Sequence, residues 1–286
     1  MFLHPHTQNV ITVSLRESLG ISADGSEKAF GTEAITNMIR RVPNRLRYDV
    51  REPTNNVNHV FVAVDPSGGG ASAFSIASLI QEANGSLQIL GVDAMHTKDV
   101  RQTHQLLVNH LATIRRMHVL GHCKLVLIFE SNLAFESQHL LHAVEGAGIK
   151  NWVSLSEGQQ GTLGWLTTNE RKQQMCLLLR EALTVGKISI AHEFFSNELK
   201  LVEAKLRIKD ELSSYCVVTE PPKTTFGKVR TTYTGKLYGK QDDLCIAIQL
   251  SIIGCQKFFQ EGKYRNFRAP DYLTPMGTDP KKARQA

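Results

Sequence analysis

Between residue 59 and about residue 262, short apolar runs alternate with stretches of helical spacing. HVFVAV (59–64) is rich in β-branched residues and stops at Asp65-Pro66, which predicts a buried strand closed by a tight turn over 67–70. The runs 72–80 and 86–95, separated at Asn84-Gly85, predict two more strands, so the first three form an antiparallel meander joined by hairpins. Helical spacing over 99–120 places Leu106, Leu107, His110, Leu111 and Ile114 on one side, and Gly121 ends it. LVLIF (125–129) is continuously apolar, as a strand covered on both faces must be, and it ends in Glu130. Further along, the pattern predicts a helix over 133–145 and a fifth strand over 152–156. Another helix covers 169–185, capped by Thr167 or Thr168 and closed at Gly186, and a further one covers 197–210. The segments 215–219 and 229–233 predict a hairpin, and 244–259 is almost wholly apolar and reads as a buried helix.

A three-stranded meander followed by alternating helices and strands predicts an α/β fold, a mixed sheet flanked by helices. That order is the ribonuclease H/integrase-like arrangement. Residues 1–52 read as an N-terminal extension, with a short helix over 33–42 and an arginine-rich stretch containing Arg40, Arg41, Arg45, Arg47 and Arg51. The break at Pro53 and the run TNNVN opens the main domain, 53–262. Residues 263–286 read as a loosely held basic tail, with three prolines and no amphipathic period.

Composition narrows the classes. The chain has 286 residues, of which 42% are hydrophobic and 21% charged, so it has enough apolar material for a core and is neither fibrous nor wholly disordered. Its longest apolar run, 244–255, is interrupted by Gln249 and Ser251 and falls short of the roughly 18 residues of a membrane span. The first ten residues lack the pattern of a secretory leader, which leaves cytosol or nucleus as the expectation. Five cysteines are scattered without a CxxC pair, which predicts buried thiols and no zinc knuckle or disulfide framework. A net charge of +6 is compatible with a polyanionic partner.

Three acidic positions stand at the ends of the most buried elements: Asp65, Glu130, and the pair Asp242 and Asp243 before the apolar helix. In a mixed α/β sheet, strand ends face the crevice where ligands bind, so these carboxylates can converge. Hard oxygen donors without a His/Cys cluster suit magnesium or manganese, and two such ions clamp the attacking and leaving oxygens of a phosphodiester hydrolysis. Each acid also has a plainer use. Asp65 before a proline can form a turn, Glu130 can cap the next helix, and Asp242 or Asp243 can complement a helix dipole for under about 1 kcal/mol. Together they are harder to dismiss, because a carboxylate near a core is costly without a compensating cation.

The stretch 223–240 carries Lys223, Lys228, Arg230, Lys236 and Lys240 and no acid, interleaved with Phe226, Tyr233 and Tyr238. Such alternation suits nucleic acid, with charges following phosphates while rings stack, although a solvated hairpin has the same look. The glycines at 68–70 lack the phosphate-loop pattern and precede a strand, and no second half supports an actin-like ATPase. The histidines form no metal set; His104, His110 and His118 read as surface or packing residues, and Lys172 by itself reads as an exposed lysine.

In VFVAVDPSGGGAS (60–72), LVLIFESN (125–132), NERK (169–172) and TYTGKLYGKQDDLCIAI (232–248), the chain resembles the C-terminal nuclease domain of the herpesvirus DNA-packaging terminase large subunit, over roughly residues 30–260. The resemblance implies a metal-dependent endonuclease that cuts concatemeric viral DNA into genome lengths during packaging into procapsids in the host nucleus. It implies Asp65, Glu130 and the Asp242-Asp243 pair as ligands of two Mg2+ or Mn2+ ions. Adjacent helix positions are rotated by about 100°, so Asp243 is expected to be the main ligand and Asp242 its assistant. Lys172 matches a lysine near the family's site and is expected to stabilise charge on the phosphate. Double-stranded DNA, other terminase subunits and the capsid portal are the implied partners, with no membrane. The family's packaging ATPase has a Walker A loop that is absent here, so an exon product or a fragment is expected. A ribonuclease H-like resolvase and a noncatalytic docking module of the packaging assembly are the competing readings.

Overall fold

The computed structural model describes residues 26–43, 57–66, 72–131, 134–157, 162–220 and 230–260. The chain opens with β1 (Ser26–Lys28) and α1 (Thr32–Arg40), then lays down the meander β2 (His59–Asp65), β3 (Phe74–Gln81) and β4 (Leu87–Met95). Helix α2 (Val100–Arg116) crosses to β5 (Lys124–Phe129), and α3 (Ala134–Gly146) leads to β6 (Trp152–Ser154). The short pair β7 (Ser156–Glu157) and β8 (Thr162–Leu163) precedes α4 (Asn169–Thr184), β9 (Ile188–Ile190) and α5 (Glu198–Ser214). The hairpin β10 (Cys216–Glu220) and β11 (Arg230–Thr234) then leads into α6 (Asp243–Gln260).

Six strands form the central sheet in the order β6-β5-β2-β3-β4-β9. The meander is antiparallel, while β5 joins β2, β6 joins β5, and β9 joins β4 in parallel. This is the mixed ribonuclease H-like sheet expected from the element order. Both faces are covered, which is why its central strands read as continuous apolar runs. Val60, Val62 and Val64 belong to a cluster with Leu107, Leu111 and Ile114 of α2 and Leu140, Leu141 and Val144 of α3. Phe61, Ala63 and Ile128 belong to the other cluster, with α4, α5 and α6. Helix α6 lies directly on the sheet: a Cβ on Gly254 would come within 2.6 Å of the Ile128 side chain. Among the described residues, no helix is long and apolar enough to cross a membrane; the apolarity of α6 serves the core.

Several short elements escaped the sequence pattern, β1, β8 and β9 among them. β9 has three residues, too few to show a period. Part of the stretch read as an N-terminal extension is packed on the body: β1 pairs with β10 in a second sheet, β1-β10-β11, and Phe30, Ile35 and Met38 are buried. Phe30 stacks on Tyr215 with ring centroids 5.7 Å apart. The partner that buries this segment lies nearly 190 residues away, so local periodicity carries no trace of it. Residues 1–25, the turn at 67–70 and the tail at 263–286 lie outside the described residues.

Candidate active site

Strand register sets the first two acids side by side. Val64 of β2 faces Phe129 of β5, and one step further the Glu130 N–H donates to the Val64 carbonyl at 2.9 Å. Side chains alternate along a strand, so Asp65 follows Phe61 and Ala63 toward α6, and Glu130 follows Val126 and Ile128 to the same face. Asp243, the first residue of α6, meets them there. The Asp65 carboxyl is held well above the usual carboxylate range, first by burial, then by the charge of Glu130, a hydrogen bond with Glu130, and the charge of Asp243. Lys236 acts in the opposite sense.

The adjacent aspartates at the start of α6 have separate duties. Asp243 Oδ2 accepts a hydrogen bond from the Ala73 N–H at 2.7 Å, and its Oδ1 lies 3.1 Å from Lys236 Nζ. Asp242 turns instead toward the loop after β11, accepting from the Gly235 N–H at 2.8 Å and from Thr234 Oγ1 at 3.4 Å. A Cβ on Gly235 would lie 2.7 Å from that of Asp242, so this approach needs glycine. The Asp242 carbonyl also accepts the Ile246 N–H, which makes Asp242 the N-terminal cap of α6. Both aspartates are buried, yet Asp243 is the one whose charge acts on Asp65.

Three residues support the acids in roles that the sequence pattern did not assign to them. Thr167 Oγ1 donates to Glu130 Oε1, while Thr168, its alternative as helix cap, accepts from the Arg171 N–H at 3.3 Å. The segment that delivers Thr167 runs beside Glu130 through a parallel bridge from Trp165. Gly164 makes this possible, because its φ of +85° and its approach to the Phe129 carbonyl leave no room for a side chain. On the other side, the buried Glu211 of α5 accepts the Leu244 and Cys245 N–H groups at 2.8 and 3.1 Å, satisfying donors that a helix start leaves unpaired. Lys236 is the third. It stands 3.1 Å from Asp243 and 3.5 Å from Asp242, so among the basic residues of 223–240 it belongs to the acid pocket. Burial disfavours its charge, but Asp242, Asp243 and Asp65 outweigh that and raise its pKa above the ordinary lysine value. No signal short of the tertiary fold distinguishes it from its neighbours.

The remaining predicted site residues spread out. Lys172 lies in the first turn of α4 and donates its N–H to the Thr168 carbonyl at 2.8 Å; Thr167, not Lys172, reaches Glu130. Its neighbour Arg171 lies over the Trp165 ring at 4.4 Å. Lys240 pairs at 3.1 Å with Asp210 on the surface. Arg230 opens β11 opposite Glu220, whereas Lys223 and Lys228 lie outside the described residues.

Among the described residues, no group of three or more His, Cys, Asp or Glu side chains is gathered closely enough to hold a metal ion. The donor chemistry nevertheless fits a hard divalent cation. Asp65, Glu130 and Asp243 offer carboxylate oxygens, and their crowding leaves Asp65 short of positive charge.

No protein-family model matches the chain, and no curated protein matches its sequence. Among solved structures, the Mn-soaked human cytomegalovirus terminase nuclease domain matches with a TM-score of 0.58 at 11% identity, over 81% of this chain and 97% of that one. The same domain, Mn soaked with inhibitor bound, gives 0.58 and 11% over 79% and 95%. Its third structure gives 0.50 and 12% over 79% and 94%. The fold is that of a herpesvirus terminase nuclease domain. At such low identity the likeness is one of backbone architecture.

Proposed function

We propose that this chain is a divalent-metal-dependent DNA endonuclease of the packaging-terminase kind, which cuts concatemeric viral DNA into genome units during packaging into procapsids in the host nucleus. One observation carries the reading: strand register sets Glu130 beside Asp65, and Glu130 and Asp243, from distant parts of the chain, both crowd the buried Asp65 carboxyl at the end of its strand in a terminase-nuclease fold. In this reading these three carboxylates are the metal ligands and Asp242 assists by fixing the start of α6. Mg2+ or Mn2+ bound there, as a pair, would lower the pKa of the attacking water and neutralise the leaving 3′ oxygen.

The protein's own groups hold the ligands in place. Thr167 orients Glu130, the Ala73 N–H fixes one oxygen of Asp243, and Glu211 anchors the helix start behind it. Residues 53–262 carry the activity, with 26–40 packed onto them. Lys223, Lys228, Arg230 and Lys240 follow the phosphates of double-stranded DNA, and Lys172 answers charge on the phosphate from the start of α4. Other terminase subunits and the capsid portal are the proposed partners.

The test is Mn2+-dependent nicking of supercoiled plasmid by Asp65→Ala and Glu130→Ala. Each is expected to lose activity by on the order of 10³-fold, while circular dichroism and DNA retention remain as in the parent. Full nicking by either variant would remove the assignment.

A further inference from the structure

Lys236 and Lys240 sit four residues apart in one basic segment, but their ion pairs differ in kind. Lys240 and Asp210 expose 51% and 65% of their side chains, an ordinary surface pair. Lys236 is 49% exposed, while its partners Asp242 and Asp243 expose only 6% and 3%. A half-exposed ammonium therefore closes the mouth of a buried acidic site. Its hold is specific: Nζ lies 3.1 Å from Asp243 Oδ1 and 3.5 Å from Asp242 Oδ1, and donates to Ser72 Oγ at 2.7 Å. Its own N–H donates to Thr234 Oγ1 at 3.1 Å, which ties its backbone to the loop that Asp242 holds.

Asp243 Oδ2 accepts the Ala73 N–H on one side, and Lys236 stands 3.1 Å from Oδ1, so a cation that takes Oδ1 meets the ammonium there. Lysine is a compact charge on a flexible stem, suited to leaving when a stronger cation arrives. We propose that Lys236 is a built-in counter-ion that competes with the divalent cation for Asp243. It supplies the positive charge that the metal-free site needs, and it sets how tightly metal binds. Displaced, its ammonium is released at the mouth of the site, where a phosphate of the substrate would meet it. This inference rests on the reading of Asp65, Glu130 and Asp243 as metal ligands.

The test is a Mn2+ titration of the full chain, with free Mn2+ followed by electron paramagnetic resonance, on the parent, Lys236→Gln and Ser72→Ala. Lys236→Gln is expected to bind Mn2+ about tenfold more tightly and to melt at a lower temperature without metal, the gap closing when Mn2+ is added. Ser72→Ala leaves every carboxylate in place and only loosens the lysine, so it is expected to tighten Mn2+ by about twofold, which keeps the test open if Lys236→Gln does not fold. Unchanged or weaker Mn2+ binding in the folded variants, with the parent binding normally, overturns the role of Lys236 alone. No Mn2+ binding by any of the chains overturns the metal-site reading and this inference with it.

Discussion

Asp65 and Asp93 stand at the same end of the central sheet, on β2 and β4, with β3 between them. Ser75 of β3 pairs with Asp65 on one side and with Ala94 on the other, so the two carboxylates are nearly level. Asp93 points toward α2, where its Oδ2 lies 2.6 Å from Nδ1 of the buried His110, whose ring packs 4.7 Å from that of Phe194. A cleft of about 630 Å³ opens on this side, lined by His110, Phe194 and Arg207 among others. Asp65 points to the opposite face and finds two more carboxylates there, with a lysine on the far side of them. One fixed partner in the fold completes Asp93. Asp65 has been given like charges, which cost stability unless an exchangeable cation joins them.

The sharpest way to break this contrast is to neutralise each aspartate. Asp65→Asn is expected to abolish plasmid nicking and to raise the thermal midpoint of the metal-free chain, because it relieves the crowding of carboxylates. Asp93→Ala should do the reverse, leaving nicking intact and lowering stability in chemical denaturation by about 1–3 kcal/mol, since buried His110 loses its partner. If both variants behave alike, the two sites do not differ as described.

A second comparison lies within the acid pocket. Asp243→Asn removes a proposed ligand and should bring nicking to the background of Asp65→Asn. Asp242→Asn keeps an acceptor for the Gly235 N–H, so a loss of only about tenfold is expected. Equal losses would mean that both carboxylates act directly on the metal.

The smallest effect concerns Glu211. Burial raises its pKa, outweighing the hydrogen bonds from Cys245 and Leu244 and the pull of Arg207. The folded chain thus binds this proton more tightly than the unfolded chain. Its contribution is fully present below the ordinary glutamate range and is lost as pH rises through the raised value. Glu211→Gln should remove that part of the slope of unfolding free energy against pH, at most about 1.4 kcal/mol per pH unit. Denaturant titrations across the acid range measure it, and an unaltered slope would contradict the assignment.

How much of this was legible beforehand follows the range of each interaction. The strands at 59–64 and 125–129 were readable because burial on both faces leaves an unbroken apolar run, and each run ends at a candidate acid. The cap of α4 was narrowed to two threonines, but only the bridge between Trp165 and Glu130 decided that Thr168 caps while Thr167 serves the acid. Lys236 was legible as one base among five, and nothing local set it apart. β1 was invisible because its pairing partner, β10, is remote in sequence.

By itself the sequence determined the order of elements, the mixed α/β class and the short set of acids at the ends of buried segments. These follow from periodicity, turn residues and the cost of placing charge beside a core, all properties of neighbouring positions. The tertiary structure alone decided which acids share a pocket, which of Asp242 and Asp243 faces Asp65, and which lysine closes the site. Those outcomes depend on strand register and on the seat of α6 across the sheet, where a single-residue step turns a side chain to another face.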